Sequence, residues 1–421
     1  MDLILLAVPF FFVLIAVELV ADRVRGQHNF TLADSINSLS TGALSTSTGL
    51  LTKGVGLVTY ALAFEHLALL QLPAQAGWVW LLAFVLYDFC YYWLHRLGHE
   101  RNVLWAAHSV HHQSEEYNLT TALRQTSSGF IFSWLFYLPL ALLGVPPLLY
   151  QFWVHTRHIP KLGWLEWVLI TPSNHRVHHA QNPAYLDRNY GGVFILWDRL
   201  FGTFKEEDPA EPVVFGVTTP LASWNPLWAN LQFYAQLWHD ARRADSLWDK
   251  LRIWFMPTGW RPADVAARYP QAKQDLALFR KFEIALGRGQ QAYVAAQFVV
   301  YVALGSYLMD VADRVSAAAL VLGWSLMAFG LFVLGALLEN RPWSARLELA
   351  RLCLNAPALY LAGALGLAVV APLAWFLLVA YSLLSLWGLG LARRPALRAQ
   401  STEAPAQPQQ AAQRHQAAKH P

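Results

Sequence analysis

The chain has 421 residues, 56% of them hydrophobic and 14% charged, with a formal net charge of +4 and a mean hydropathy of +0.31; soluble domains hold about 45–50% apolar residues, so an ordinary soluble globule is excluded. Only Cys90 and Cys353 are present, both in apolar segments, which excludes a disulfide framework, an iron–sulfur ligand set and a cysteine-type zinc site. The small positive balance does not imply nucleic acid: no basic groove with interleaved aromatics is present, and Lys and Arg gathered at the cytoplasmic ends of membrane spans produce the same excess.

Several apolar runs approach the roughly 20 residues needed to cross a bilayer core, and nineteen Trp and sixteen Tyr suit positions at headgroup level. Residues 3–20 form the first run. It reads as an uncleaved anchor, since no basic leader precedes it and no small-residue cleavage site ends it. Asp22, Arg23 and Arg25 then place its exit on the cytoplasmic side. The Ser/Thr/Gly-rich stretch 39–64 reads as a second span suited to close packing, and 78–94 as a third that runs directly into His95. Three crossings put the chain from His95 onward on the cytoplasmic face.

Residues 130–154 are apolar but carry Pro139, Pro146 and Pro147, which disfavour a straight helix; a hairpin that dips into the bilayer and returns fits better. The proline-rich polar stretch 206–288 reads as cytoplasmic. Four further runs follow, at 293–309, 317–338, 352–366 and 367–389, with a basic loop (Arg341, Arg346, Arg351) and a basic exit (Arg393, Arg394, Arg398) that parity places in the cytoplasm. From Pro395 the Ala/Gln/Pro-rich tail is expected to be disordered. The expected architecture is an all-α, polytopic membrane protein, a helical bundle with a cytoplasmic histidine-rich di-metal site. Its parts are anchor helices over 1–80, a catalytic region over 81–220, a cytoplasmic connecting segment over 221–289, a four-span region over 290–394 and a tail over 395–421.

Ten of the fifteen histidines fall between His95 and His179. HRLGHE supplies His95 and His99, HSVHH supplies His108, His111 and His112, HTRH supplies His155 and His158, and HRVHH supplies His175, His178 and His179. On a helix the i, i+3 and i+4 spacings stack imidazoles on one face, their Cβ atoms roughly 5–6 Å apart. Eight clustered imidazoles exceed the about four ligands of one tetrahedral ion and suit two ions sharing a site. Ligand type alone leaves both zinc and iron open. A bilayer offers an enzyme few hydrolysable bonds and many C–H bonds, which favours a redox metal pair that uses O2. The alternative from another class, a metal-transport protein, predicts ionisable residues at mid-span depth, whereas these histidines lie at span ends. His28, His66, His239, His415 and His420 are isolated and read as ordinary polar residues.

The stretches HRLGHE, HSVHHQSEEYNLTTALRQ, QFWVHT and TPSNHRVHHAQNPAYLDRNYGGVFILWDRLFGTF resemble the membrane fatty acid hydroxylase/sterol desaturase superfamily over roughly residues 81–204, and more loosely to 220. HHQSEEYN and NYGG…WDRLFGTF narrow the resemblance to the subgroup that oxidises glyceryl ethers. The resemblance implies a di-iron centre, O2 as co-substrate, a membrane lipid as substrate and an external reductant. In that subgroup the reductant is tetrahydrobiopterin, and hydroxylation of the ether-bonded carbon releases a fatty aldehyde. No fused haem module is present, so electrons would come from a pterin or a separate donor protein. The wider superfamily keeps sterol, carotenoid or fatty acyl hydroxylation or desaturation open.

Position by position, His95, His99, His108, His111, His112, His175, His178 and His179 match the ligand histidines, and His155 matches an additional one. Gln151 stands where some hydroxylases have a further histidine, and His158 falls outside the pattern. Glu100, which the subgroup shares, is the candidate catalytic residue, as support for a ligand imidazole or as a proton relay; a helix-end charge paired with Arg96 or Arg101 is the plainer alternative. Glu115, Glu116, Tyr117 and Asn118 can line the site mouth or bind the pterin, or simply cap and turn the chain. Asn189, Tyr190 and Asp198 lie in the shared stretch after the third cluster. Either Asp187 or Asp198 can accept from the outer N–H of a ligand histidine, while Phe194, Trp197 and Phe201 read as packing.

Overall fold

The structure, a computed structural model, describes residues 3–70, 72–73, 75–142, 153–271 and 275–392. Among these residues it is all-α, with three isolated antiparallel bridges and no strand. The helices are α1 (Leu3–Val24), α2 (Leu32–Leu67), α3 (Gly77–Glu100), α4 (Asn102–His112), α5 (Leu119–Ala122), α6 (Ser133–Leu142), α7 (Pro172–His178), α8 (Leu196–Leu200), α9 (Pro226–Arg243), α10 (Leu247–Arg252), α11 (Ala263–Arg268), α12 (Arg288–Val311), α13 (Ala317–Leu338), α14 (Ser344–Ala364) and α15 (Pro372–Ala392).

By length and composition α3, α12, α13 and α15 are able to cross a bilayer. In α15 the apolar residues Phe376, Leu383, Leu384 and Trp387 are all exposed on the protein surface, as a lipid-facing helix requires, because a helix satisfies its own backbone groups and needs only apolar solvent.

α2 differs from the expected span. It begins at Leu32, where the Thr31 hydroxyl accepts from the Asp34 amide, and its 36 residues at about 1.5 Å each exceed a hydrocarbon core about 30 Å thick. Its first turns bury Asp34, Asn37, Ser38 and Thr41 inside the protein. Those polar groups are useless to lipid; Asp34, Asn37 and Ser38 find partners in Ser114 and Arg124 of the site region, and Thr41 donates back to the Ser38 carbonyl. Pro139 lies within α6. Pro146, Pro147 and Gln151, the return of the expected hairpin, the basic exit at Arg393, Arg394 and Arg398, and the tail with His415 and His420 lie outside the described residues.

The C-terminal runs also have different bounds. Arg346 and Arg351 are not in a loop but inside α14. The buried Arg351 makes two 2.7 Å bonds to Glu348 and a 3.0 Å bond to Gln297 of α12, so its charge is compensated where a free loop arginine would need water. α14 stops where Gly366 takes a left-handed φ of +70°, and α15 starts only at Pro372, a residue favoured in the first helical turn. The largest apolar cluster joins α2, α12 and α13 through Leu44, Phe298, Leu308, Met327 and Leu331. Gly330 makes that approach possible: a Cβ there would stand 2.0 Å from the Tyr301 hydroxyl oxygen.

Candidate metal centre

The histidine clusters meet at the end of α3. His95 and His99 occupy its last turns, Arg101 breaks the helix with extended backbone, and α4 returns alongside carrying His108, His111 and His112. Asn102 holds the break, donating to the carbonyls of Ile253 (2.8 Å) and Trp260 (3.2 Å) and accepting from the Gly259 amide (3.0 Å). α7 is started by Thr171 and Pro172 and brings His175, His178 and, at its cap, His179.

Two groups form, and they cut across the sequence clusters. His95, His99, His108, His112 and His178 converge in one; His111, His155, His175 and His179 converge in the other, the ligand atoms within each lying within 4.8 Å of one another. In the first, Nε2 of His112 stands 3.0 Å from that of His108 and 3.2 Å from those of His99 and His178. In the second, the separations are 3.1 Å for His111–His155, 3.0 Å for His155–His175 and 3.2 Å for His175–His179. Bonds of about 2.1 Å to one ion place neighbouring nitrogens about 3.0–3.4 Å apart, so these spacings match the edges of a coordination polyhedron.

Charge state agrees. Burial, reinforced by neighbouring imidazoles, holds His108, His112, His175, His178 and His179 well below the usual histidine range, and burial pushes His111 down to about 4. Neutral imidazoles facing one another through their Nε2 atoms cannot satisfy each other when the outer nitrogen carries the proton. Buried His95 Nε2 has no hydrogen-bond partner at all. A cation at each convergence point resolves both difficulties.

Three of the outer nitrogens are held by backbone. His95 donates to the Tyr190 carbonyl (2.8 Å), His178 to that of Arg188 (2.9 Å) and His111 to that of Arg124 (2.8 Å), which sets the tautomer and aims Nε2 inward. Asp187 lies 3.5 Å from His99 Nδ1. Thus the loop 187–190 serves three ligands of the five-histidine group. Asp187 and Asn189 both sit at φ 57° in it, a conformation tolerated by such residues when the surroundings enforce it. Asn189 is fixed by bonds to the carbonyls of Asn174 and Lys205 and from the Lys205 amide. Asp198 does not touch a histidine; it accepts from the Tyr190 and Gly191 amides, both 2.8 Å, and from Thr203 (2.6 Å), and burial lifts it to about 6.

The other expected residues divide. Glu100 is partly exposed and paired with Arg96 at 2.8 Å. Glu115 accepts from the Phe282 amide, and Glu116 pairs with Lys281 at 2.6 Å. Asn118 caps α5. Tyr117 stacks on His155 and on Phe215. His158 stands outside both groups, 3.8 Å from Asp22 and 3.2 Å from Arg25. Phe194, Trp197 and Phe201 pack against Phe84, Phe89 and Tyr92 of α3.

Four supporting residues escaped sequence reasoning. Glu18 of α1 accepts from the Leu119 amide (2.7 Å) and from Thr156 (2.5 Å), beside His155. Asp34 accepts from Ser114 at 2.7 Å. Asp88, inside α3, accepts from the Val193 and Phe194 amides and the Trp197 indole. Arg124, fully buried, donates to the Val110 carbonyl (2.6 Å), Gln113 (3.1 Å) and Asn37. A lone acid within an apolar run was the available signal for Glu18 and Asp88; Asp34 and Arg124 carried none.

A fatty acid hydroxylase family model matches residues 80–203, the stretch that carries all nine converging histidines. Fold and site therefore define a polytopic membrane oxidoreductase of the fatty acid hydroxylase class. The chain is 35% identical to alkylglycerol monooxygenase of Homo sapiens over 398 residues, 91% of this chain and 88% of that one. It is 37% identical to the Danio rerio protein of the same name over 362 residues, covering 82% and 79%. An ornithine lipid hydroxylase of Rhizobium tropici is 30% identical over 160 residues, 34% of this chain and 46% of that one. No solved structure matches. The chain belongs to the alkylglycerol monooxygenase family.

Proposed function

We propose that this protein is a di-iron, O2-dependent monooxygenase that hydroxylates the ether-bonded carbon of alkylglycerols, the resulting hemiacetal collapsing to a fatty aldehyde and glycerol. The observation that carries the proposal is the sorting of nine histidines into two converging groups of five and four, together with relatives named as monooxygenases. Zinc would suit the ligands but has no redox chemistry. Two irons held by these residues would supply the electron transfer that O2 cleavage requires. For each turnover one oxygen atom enters the C–H bond as hydroxyl and the other leaves as water, consuming two electrons and two protons. Tetrahydrobiopterin or a separate donor supplies them.

The chain's own residues orient and enclose. Carbonyls of Tyr190, Arg188 and Arg124 aim three imidazoles, and burial of the histidines keeps bulk water from the reacting carbon. Glu100, partly exposed and one residue beyond His99, is the proposed proton relay between water and the site. The active region lies within 81–220 and faces the cytoplasm, between the anchor helices of 1–80 and the spans of 290–394.

The test is purified protein in lipid, assayed for iron and for conversion of an alkylglycerol under 18O2 with tetrahydropterin. Two irons per chain and a labelled aldehyde, trapped as it forms, are expected. Turnover of sterol or acyl substrates alone would overturn the ether assignment, and stoichiometric zinc without iron would overturn the metal.

A further inference from the structure

We propose that residues 223–258 make a second, non-spanning membrane contact, α9 and α10 lying along the bilayer face and pressing a Trp/Leu ridge into the headgroup boundary of anionic lipid.

Position is the first argument. At one end of the segment, Glu339, immediately after α13, accepts from the Ser223 hydroxyl (2.5 Å) and the Trp224 amide (2.8 Å). Gly335 lets that contact close, since a Cβ there would stand 2.7 Å from the Trp224 carbonyl oxygen. At the other end, the Thr258 amide donates to the Glu100 carbonyl (3.1 Å), and the Asn102 and Val103 amides donate to Met256 and Trp254. Glu100 ends α3 and Glu339 follows α13, both able to span. The chain just before α12 is tied to the residues that follow α4, the Phe282 amide donating to Glu115 and Lys281 pairing with Glu116, and Gln290 in the first turn of α12 donates to Asn340 just past α13, so both anchor points lie on one face. A segment bonded at both ends to span ends, with an 18-residue helix about 27 Å long between them, lies along the membrane rather than away from it.

Surface chemistry is the second. α9 buries Ala229, Leu237 and Ala241 and exposes Trp228, Leu231 and Trp238, which continue into exposed Leu247, Trp248 and Leu251 of α10. That ridge is too apolar for open water. Arg242 and Arg243 are exposed where α9 ends, and Lys250 follows in α10. Apolar Trp and Leu edged by Lys and Arg are the composition of helices that lie in the interface plane. Asp245 and Asp249 of the same stretch are already paired with Arg268 and Arg252, so Arg242, Arg243 and Lys250 carry the excess charge, which would repel a second copy of this face and attract anionic lipid.

The experiment uses the full chain with Cys353→Ser, leaving only buried Cys90, in phosphatidylcholine/phosphatidylglycerol vesicles. Nitroxides are placed by Trp248→Cys, Leu251→Cys and, as a marker of a span, Leu383→Cys. Collision with O2 and with a water-soluble nickel complex reads depth. Labels at 248 and 251 are expected about 5–10 Å inside the headgroup boundary, the label at 383 deeper, and Arg242→Glu/Arg243→Glu is expected to move the first two toward water. Aqueous labels at 248 and 251 with a deep label at 383 would overturn the docking and leave the spans standing; aqueous labels at all three would overturn both. Labels at 248 and 251 shielded in vesicles but aqueous in single-chain nanodiscs would assign the ridge to a second copy and overturn the proposal.

Discussion

Arg124→Lys should separate the two metal positions. The Arg124 carbonyl aims His111, a ligand of the four-histidine group, and its guanidinium fixes that carbonyl by donating to Val110, Gln113 and Asn37. Burial lowers the guanidinium to about 10, with Asp34 and Glu115 opposing that shift, so it stays charged at neutral pH. Lysine keeps the charge facing Asp34 but cannot reproduce the planar fork; losing two such bonds costs about 1.5–3 kcal/mol each. The total of about 3–6 kcal/mol is a large share of about 5–15 kcal/mol of domain stability, so the variant is first checked for a folded helical spectrum by circular dichroism. Disturbing a group that orients a ligand histidine typically weakens metal binding about 10–100-fold. The loss should fall first on the four-histidine group, because His95 and His178 of the five-histidine group take their backbone partners from the 187–190 loop. Titration of the loaded protein with a graded chelator, iron being counted at each step, should show one iron leaving early and one retained. Two irons lost together, or none lost early, would refute the reasoning.

Gly42→Ala should also act on the four-histidine group, since a Cβ at Gly42 would stand 2.2 Å from the Leu123 carbonyl oxygen, and the backbone shift passes to Arg124; a loss of about 1–3 kcal/mol is checked by chemical denaturation in detergent. The metal-free protein should lose stability as pH falls. His111 is depressed to about 4 from a usual value near 6.5, so the unfolded chain binds more protons between those values. The stability is complete above about 6.5 and lost as pH falls through about 4, which thermal melts at stepped pH will show; a flat profile would contradict neutral imidazoles. Glu100→Gln should leave both irons in place and cost under about 1 kcal/mol for the exposed Arg96 pair, while lowering turnover at least about tenfold if Glu100 relays protons. Unchanged turnover would leave Glu100 as the partner of Arg96 only.

What local sequence encodes was legible. Apolar runs report spans because a helix in lipid needs only a continuous apolar surface, so α12, α13 and α15 follow their runs, while element ends at Leu32, Ser344 and Pro372 shifted with capping and tertiary partners. Histidine spacing reports a metal centre because i, i+3 and i+4 side chains share a helix face whatever surrounds them. Those two periodicities, with the Cys-poor composition, indicated the fold class and the eight clustered histidines without any coordinates, whereas His155 entered only through the family resemblance. Which imidazole joins which group was decided only in three dimensions. His111 parts from His108 and His112, and His178 from His175 and His179, because helix crossing, not sequence order, sets where each Nε2 points. The same holds for Arg124, Asp34, Glu18 and Asp88. Each is an unremarked polar residue until packing brings it to a backbone group many residues away, where burial makes an unpaired donor or acceptor costly.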